Sequence, residues 1–257
     1  MGVVNVTPDS FSDGGKFFDA KAAVAHAFKL IEDGADILDI GGESSRPGAL
    51  PVTPSEESDR ILPVLDGLKA IDKPISVDTR RPAVMQAALR AGASMINDID
   101  ALTAPGALEA VAKSQCAVCL MHKKGDPATM QRDPHYADVV GEVSAFLKSR
   151  IQATEAAGVA RDRIVIDPGF GFGKTVEHNL DLLRKLKRLS GLGVPVLAGL
   201  SRKSTLGRLT GRPVGERLAG SLGMALLALQ GGATILRVHD VRETKDIITV
   251  WQAFTAA

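Results

Sequence analysis

The chain alternates between two hydrophobic patterns. Short runs rich in Val and Ile, typical of buried parallel strands, are each followed by a polar loop and then by a stretch with helical periodicity. Eight such runs are predicted as strands, at residues 3–6, 37–40, 75–77, 94–96, 117–121, 164–166, 196–198 and 235–238. Helices are predicted at residues 20–33, 55–71, 82–91, 136–157, 176–189, 215–230 and 241–253.

Glycines near the ends of the predicted helices support this alternation. Gly34, Gly92, Gly158 and Gly232 each precede the residues that lead into a strand, and glycine is the usual residue just past a helix end. Strict alternation without a linker predicts one α/β domain spanning residues 1–257. Eight units favour a closed (β/α)8 TIM barrel over a doubly wound sheet. Because the chain starts inside a predicted strand, we expect a short N-terminal segment to precede it.

Polar residues gather at one end of the predicted strands. In a TIM barrel the active site lies at the C-terminal ends of the strands. The polar residues that follow the apolar runs are Asn5, residues 43–46, Asp78, Asn97, His122, Asp167, residues 201–203, Arg237 and His239. The residues before the strands are mostly glycine, alanine, proline or ordinary surface charges. The sequence therefore predicts a single active-site face.

The composition argues against some classes of binding partner and bears on where the protein is located. The 31 basic and 30 acidic residues give a formal net charge of +1, so no global field would attract nucleic acid or an anionic membrane. Cys116 and Cys119 lie three apart in an apolar run and should face opposite sides of a strand, which predicts buried free thiols rather than a zinc or redox site. No apolar stretch reaches the roughly 18 residues of a membrane span. We expect a soluble cytoplasmic protein.

The loops after the first two strands carry candidate phosphate ligands. The sequence NVTPDSFSDGG follows the first strand. It is either a plain connection or a mobile lid, with Asn5 as an oxygen ligand for Mg²⁺ or phosphate. In the sequence GESSRPGA, which follows the second strand, Arg46 stands beside Ser44 and Ser45. Its guanidinium matches the geometry of phosphate oxygens, although a surface salt bridge is the alternative.

Three polar residues end apolar strands in the middle of the chain. They are Asp78, Asn97 and Asp167. A buried carboxylate is costly unless it accepts hydrogen bonds, and a ligand with an amino-pyrimidinone edge would supply paired N–H donors. Each of the three could instead bond to the backbone or to a neighbouring lysine, but three on one face favour a ligand.

The glycine-rich sequence GFGFGK at residues 169–174 does not match a nucleotide motif. A phosphate loop would need glycine in place of Pro168, and a dinucleotide loop would need glycine in place of Lys174. We expect a loop that lets a flat ligand approach the backbone, with Phe172 as an apolar wall.

Cationic residues follow the last two strands. Ser201 and Lys203 stand at a predicted helix start, where N–H groups and the serine suit a small carboxylate. Lys203 could instead be solvated. Arg237 and His239 are two apart and should point the same way, as a second cationic pair suited to pyrophosphate. No serine or cysteine elbow accompanies the histidine, which disfavours a hydrolase triad.

Taken in order, these motifs resemble those of dihydropteroate synthases, in the pterin-binding family. The matching stretches are NVTPDSFSDGG, GESSRPGA, SVDT, IND, DPGFGFGK, SRKS and RVHDV, from residue 1 to about residue 254. The family usually has a short strand pair before the first barrel strand, which is absent here, and a threonine in place of Ser45. The resemblance implies a TIM-barrel transferase of folate biosynthesis. It would condense 6-hydroxymethyl-7,8-dihydropterin pyrophosphate with p-aminobenzoate to give 7,8-dihydropteroate and pyrophosphate.

The resemblance also implies roles for individual residues. The catalytic residues would be Asn5, Asp13, Arg46, Lys203, Arg237 and His239. The pterin ring would be held by Asp78, Asn97, Asp167 and Lys203, with Arg237 stacked on it. The pyrophosphate would be bound by Asn5, Ser45, Arg237 and His239, with Mg²⁺ near Asn5. The p-aminobenzoate pocket would be formed by Arg46, Pro47, Phe172 and Ser201. Asp13 lies in the first loop and could stabilise a developing positive charge.

The resemblance also implies an assembly and a class of inhibitor. The resemblance implies a homodimer through outer helices and sulfonamide sensitivity through the p-aminobenzoate pocket.

Two rival functions remain. One rival is a methyltetrahydrofolate-dependent methyltransferase that transfers a methyl group to a corrinoid, but this reaction does not require Arg46, Arg237 and His239. The other rival is a non-catalytic pterin-binding barrel, since a fold alone implies no chemistry.

Overall fold

Eight short parallel strands and ten helices alternate along the part of the chain that the structure describes. This computed structural model describes residues 1–6, 16–44 and 51–256. The strands are β1 (Gly2–Asn5), β2 (Leu38–Gly41), β3 (Ile75–Asp78), β4 (Met95–Asp98), β5 (Ala117–Met121), β6 (Ile164–Asp167), β7 (Leu197–Ala198) and β8 (Ile235–Leu236). The helices are α1 (Lys16–Glu32), α2 (Pro54–Gly67), α3 (Pro82–Arg90), α4 (Ala107–Ala112), α5 (Val139–Ala156), α6 (Val176–Arg184), α7 (Leu186–Ser190), α8 (Ser204–Thr210), α9 (Leu218–Gln230) and α10 (Val241–Thr255).

The strands run around a ring. Strands β1 to β6 form one parallel sheet in chain order, and β7 pairs with β8. Single parallel bridges join the two sheets at both seams, between Ile166 and Val196 and between Gly2 and Val238. At the second seam, the amide of Val3 donates to the carbonyl oxygen of Val238 at 3.1 Å. The predicted (β/α)8 TIM barrel is therefore confirmed, with its weakest pairing at the two seams.

The helix boundaries differ from the predicted ones where local chemistry overrides periodicity. The predicted helix 176–189 is two helices, because the chain breaks at Lys185 between α6 and α7. Helix α2 begins at a capping box, in which Thr53 and Glu56 bond to each other's backbone amides. Helix α4 was not predicted, and of α8 only the start after Lys203 was predicted, without an end. These two helices have only six and seven residues, which is too short for a clear periodic signal.

Two apolar clusters form the core of the protein. The larger one lies between the strands and the surrounding helices, and it includes Cys116. The smaller one contains Met1, Met95, Cys119, Val165 and Leu197. Both cysteines are buried free thiols, as predicted, and burial raises the pKa of each. Within the described chain, no helix has the length and apolar character needed to cross a membrane.

Candidate active site

Polar side chains from three of the first four strands lie in one layer at the C-terminal end of the barrel. Asn5, Gly41, Asp78 and Asn97 are successive partners in the strand register. A Cβ atom added to Gly41 would lie 3.6 Å from Cβ of Asp78 and 3.8 Å from Oδ1 of Asn5. The three polar residues therefore border the same small space, and the predicted grouping of Asn5, Asp78 and Asn97 is observed.

Arg237 connects this layer to the last strand. Its Nε lies 2.6 Å from Oδ2 of Asp39, and its Nη2 lies 2.9 Å from Oδ2 of Asp78. Asn97 Nδ2 also donates to Oδ2 of Asp39, at 3.2 Å. Burial opposes the charge on Arg237, but the two carboxylates outweigh that effect and raise its pKa. The arginine that was predicted to stack on the ring and bind pyrophosphate thus pairs with Asp78, a predicted ring ligand, and with Asp39.

Asp39 is a site residue that the motif analysis missed. Its side chain is completely buried, and Oδ1 has no hydrogen-bond partner in the described part of the chain. The sequence contained a signal, because Asp39 is the single charged residue in the strand LDIG. Strand alternation places it on the same face as Gly41, towards the barrel interior.

The carboxyl groups of Asp78 and Asp167, at this end of the barrel, both have raised pKa values. Burial raises the pKa of Asp78, although Arg237 opposes the shift. Burial also raises the pKa of Asp167, whose Oδ1 accepts a hydrogen bond from the amide of Gly169 at 2.6 Å. A raised pKa means that each carboxylate lacks donors of the kind water would supply. A ligand with N–H groups at its edge would meet that need.

Lys203 lies inside the site and not in solvent. Its Nζ is 4.3 Å from the centre of the Phe172 ring. Burial lowers its pKa to about 8, against the opposing effect of Asp167. A Cβ atom at Gly171 would stand 3.4 Å from Cδ of Lys203, so the glycine-rich loop passes directly beside the lysine. The predicted inward position of Lys203 and the wall formed by Phe172 are both observed.

Ser201 and His239 form a hydrogen-bonded pair next to Arg237. The Ser201 hydroxyl lies 3.0 Å from Nδ1 of His239 and accepts from the His239 amide at 3.2 Å. Burial and then Arg237 lower the pKa of His239 to about 4. The prediction of a cationic pair is therefore corrected: a pKa of about 4 leaves His239 uncharged at neutral pH, and Arg237 carries the positive charge of the pair.

The glycine-rich loop after β6 packs against the loop after β5. A Cβ atom at Gly169, where φ is +67°, would lie 1.9 Å from the carbonyl oxygen of His122. Lys174, which is buried, lies 3.0 Å from Nδ1 of His122 and donates to the carbonyl oxygens of Gly169 at 2.9 Å and Phe172 at 3.0 Å. Neither contact was predicted from the sequence. Gly169 thus permits a close approach between two protein loops, in addition to any approach by a ligand.

Four of the predicted site residues lie outside the described residues. They are Asp13, Ser45, Arg46 and Pro47, and their roles stay predictions. Among the residues that the structure does describe, no group of three or more His, Cys, Asp or Glu side chains could hold a metal ion. The remaining predicted residues share one end of the barrel. They lie on β1, β3, β4 and β6 and in the segments that follow β6, β7 and β8.

Comparisons with known proteins cover nearly the whole chain. A family model described as pterin binding enzyme matches residues 1–239. The chain is 48% identical over 254 residues to the dihydropteroate synthase of Haemophilus influenzae, covering 98% of this chain and 92% of that protein. Its structure matches dihydropteroate synthase of Xanthomonas albilineans with 4-aminobenzoic acid, at a TM-score of 0.95, 56% identity and coverage of 100% and 93%. It also matches the Yersinia pestis enzyme with a sulfonamide drug complex, at a TM-score of 0.95, 46% identity and coverage of 100% and 94%.

Proposed function

The chain belongs to the family of pterin-binding enzymes, and from this we infer that it catalyses the dihydropteroate synthase reaction. It condenses 6-hydroxymethyl-7,8-dihydropterin pyrophosphate with p-aminobenzoate and releases 7,8-dihydropteroate and pyrophosphate. The observation that carries this assignment is the contact of Arg237 with Asp39 and Asp78 at the barrel mouth, beside Asp167 and Lys203. One site thus combines acceptors for a heterocycle with cations for an anionic leaving group.

The pterin ring is proposed to bind among the polar groups of the middle strands. Asp78 and Asp167 accept N–H groups of the amino-pyrimidinone edge, Asn97 contributes its amide, and Lys203 donates to a ring acceptor. The raised pKa of each carboxyl group supports this role, because the N–H groups of the ligand would replace the water that these buried carboxylates have lost. Arg237, anchored by two carboxylates, presents the face of its guanidinium to the ring.

The diphosphate is proposed to lie towards the last strand and the second loop. Arg237 supplies charge, and neutral His239 donates one hydrogen bond from Nε2 when the Ser201 hydroxyl donates to Nδ1. Ser45 and Asn5 are the proposed contacts on the other side. Preorganised donors of this kind stabilise the charge that develops on a leaving group.

Mg²⁺ is proposed as the metal ion of the site, near Asn5. The residues fit this ion, because Mg²⁺ is commonly bound by one or two protein oxygens together with substrate phosphates and water. The Asn5 side chain lies in the polar layer beside Asp78, and the diphosphate would complete the ligand set. When bound, the metal ion would neutralise charge on the leaving pyrophosphate.

The second substrate is proposed to bind over the pterin methylene group. The backbone N–H groups at the start of α8, beside Ser201, receive the carboxylate of p-aminobenzoate, while Phe172, Arg46 and Pro47 shape the pocket. The aniline nitrogen forms a bond to the methylene carbon as the carbon–oxygen bond to pyrophosphate breaks, and the nitrogen then loses a proton. The protein mainly orients the reactants and excludes water.

Asp13 is proposed to stabilise the positive charge that develops on the pterin methylene. The group is suited to this role because a carboxylate near a developing cation lowers the energy of the transition state. Asp13→Asn should reduce kcat with little change in the affinity for either substrate. Unchanged turnover in a folded variant would rule this role out.

The reaction is tested by steady-state formation of dihydropteroate from the two substrates, with and without Mg²⁺. We expect turnover that depends on both substrates and falls when the metal is removed. Transfer of a methyl group from methyltetrahydrofolate to a corrinoid, without dihydropteroate formation, would identify the methyltransferase instead. Pterin binding without either reaction would identify a non-catalytic barrel.

The assembly and location are further proposals. We propose a homodimer that uses the outer surface of α8, α9 and α10, because most large apolar side chains that are exposed in the described chain lie there. These are Leu209, Leu218, Leu227, Val250 and Phe254.

The two buried free thiols suit a reducing cytoplasm. A sulfonamide is proposed to compete with p-aminobenzoate, as the named Yersinia pestis complex suggests.

A further inference from the structure

Arg81 contacts both ends of the loop between β2 and α2. We call residues 42–53 loop two; it contains Ser45, Arg46 and Pro47. Arg81 Nη1 and Nη2 each lie 2.8 Å from an oxygen of the Glu43 carboxylate, in a two-pronged pair. The same Nη2 donates to the carbonyl oxygen of Val52 at 2.5 Å. One guanidinium thus joins a residue before the segment 45–50 to a residue after it.

Helix α2 fixes the other side of this guanidinium. Glu57, whose side chain is 1% exposed, lies 2.5 Å from Arg81 Nη1 through Oε2. Burial raises the pKa of Glu57, and Arg81 opposes that shift. The Val52 amide also lies 3.4 Å from Oε1 of Glu43. Glu43, Val52, Glu57 and Arg81 therefore form one connected group, which we call the Arg81 cluster.

The start of loop two is pressed closely onto α2. A Cβ atom added to Gly42 would lie 2.9 Å from a side-chain carbon of Ile61 and 3.1 Å from the carbonyl oxygen of Glu57. Arg60 Nη1 donates to the carbonyl oxygen of Gly42 at 2.8 Å. The loop therefore leaves β2 along a defined path, and the Arg81 cluster sets where it returns.

We propose that Arg81 is a positioning residue for loop two. It holds Glu43 and Val52 at a fixed separation, and these two residues flank in sequence the proposed contacts of diphosphate and p-aminobenzoate. The inference deepens the proposed function and rests on it. Stability alone does not explain the cluster, because a buried ion pair is often no more stabilising than apolar residues of the same volume. The cluster instead depends on the planar guanidinium of Arg81, whose N–H donors have fixed directions and contact Glu43, Val52 and Glu57 together.

The test is a comparison of Arg81→Lys with Arg163→Lys. Lysine keeps the charge of Arg81 but loses the fork, so it cannot reach two carboxylates and a carbonyl oxygen together. Arg163 is a matched control at the opposite end of the barrel. It is also partly buried, and it donates to the carbonyl oxygens of Ser114 at 2.8 Å and Cys116 at 3.3 Å.

Steady-state kinetics and ligand binding give the first readout. Arg81→Lys should raise KM for p-aminobenzoate and for pterin pyrophosphate about tenfold, since a small misplacement of binding groups is costly, with a smaller change in kcat. Binding of hydroxymethylpterin, which lacks the diphosphate, should be unchanged by calorimetry. Arg163→Lys should match the wild type in all these measurements. Wild-type KM values in Arg81→Lys, or an equal loss of hydroxymethylpterin binding, would overturn the proposal.

Amide hydrogen exchange gives a second readout that does not depend on the reaction. Exchange at residues 43–44 and 51–53 should be faster in Arg81→Lys and unchanged in Arg163→Lys. If the wild-type protein makes no dihydropteroate, the proposed function fails, while this measurement still decides whether Arg81 holds the loop ends. Unchanged exchange in Arg81→Lys would refute the positioning role whatever the reaction is.

Discussion

At the residue scale, Arg237 determines the electrostatic balance of the barrel mouth. Its guanidinium is the ion-pair partner of Asp39, which is fully buried, and of Asp78, which is 20% exposed. Removing one member of a buried pair leaves a charge without compensation. The same residue is proposed to contact substrate, so its loss should affect both folding and binding.

Replacing Arg237 tests this balance. Arg237→Met should lower the free energy of unfolding by about 3–5 kcal/mol, because the carboxylate of Asp39 is left buried and unpaired. Urea denaturation measures the loss. The double variant Arg237→Met with Asp39→Asn removes the unpaired charge and should recover much of that stability. If the double variant were no more stable than the single one, the unpaired carboxylate would not be the cause.

Lys203 should make substrate binding and stability depend on pH in opposite directions. Burial lowers its pKa to about 8 from an ordinary value of 10.5. Above about pH 8 the free protein loses the lysine charge, so the affinity for pterin pyrophosphate should fall. Between pH 8 and 10.5 the unfolded chain binds this proton and the folded chain does not, so the contribution of Lys203 to the free energy of unfolding should rise with pH.

Calorimetry across this range, with Lys203→Met as the control, measures the binding effect. The variant should bind more weakly and should lack the inflection near pH 8. An inflection of the same size in the variant would assign the titration to another group.

At the scale of elements, the site depends on how closely its loops pack. The loop after β6 lies against the loop after β5, with Gly169 at the contact, and Lys174 bonds to carbonyl oxygens from both loops. Burial lowers the pKa of Lys174 to about 7, which is the electrostatic cost of this position. Phe172 lies on this loop, and the Gly169 amide at its start donates to Asp167 at the end of β6, so its packing also positions groups of the site.

Gly169→Ala tests the loop contact, with Gly158→Ala as a matched control. Both glycines have positive φ values, but a Cβ at Gly158 would meet nothing within 4 Å. The control should therefore lose only about 1–2 kcal/mol from backbone strain. Gly169→Ala should lose more and should also weaken binding of hydroxymethylpterin, because the clash displaces the loop whose amide at residue 169 donates to Asp167. Equal losses of stability and normal binding in both variants would show that the close approach is unimportant.

At the scale of the whole molecule, α8, α9 and α10 carry exposed apolar side chains that do not pack into the core of the barrel. Val250 and Phe254 are 67% and 75% exposed. Burying each side chain in an interface is worth about 1.5–3 kcal/mol. Such residues favour an assembly through these helices, away from the mouth of the barrel.

Val250→Glu should weaken the proposed dimer about tenfold or more, from the loss of apolar burial. Sedimentation equilibrium measures the dissociation constant. Phe28→Glu, at an exposed apolar residue on α1, is the control and should leave assembly unchanged. A wild-type protein that stays monomeric at high concentration would remove the proposal.

The sequence by itself determined the alternation of strands and helices and the end of the barrel where chemistry takes place. Both are local properties, because apolar periodicity fixes each element and the C-terminal ends of parallel strands must meet at one mouth. Asn5, Asp78, Asn97, Asp167 and Lys203 were found in this way.

Only the tertiary structure decided which of these residues are partners. Arg237 and Asp39 are 198 positions apart, and closure of the ring brings them together. The contacts of Arg81 with Glu43 and of Lys174 with His122 likewise join separate loops. Burial in that assembled mouth also leaves His239 neutral. Charge state and pairing depend on the surroundings of a side chain, which a linear pattern does not contain.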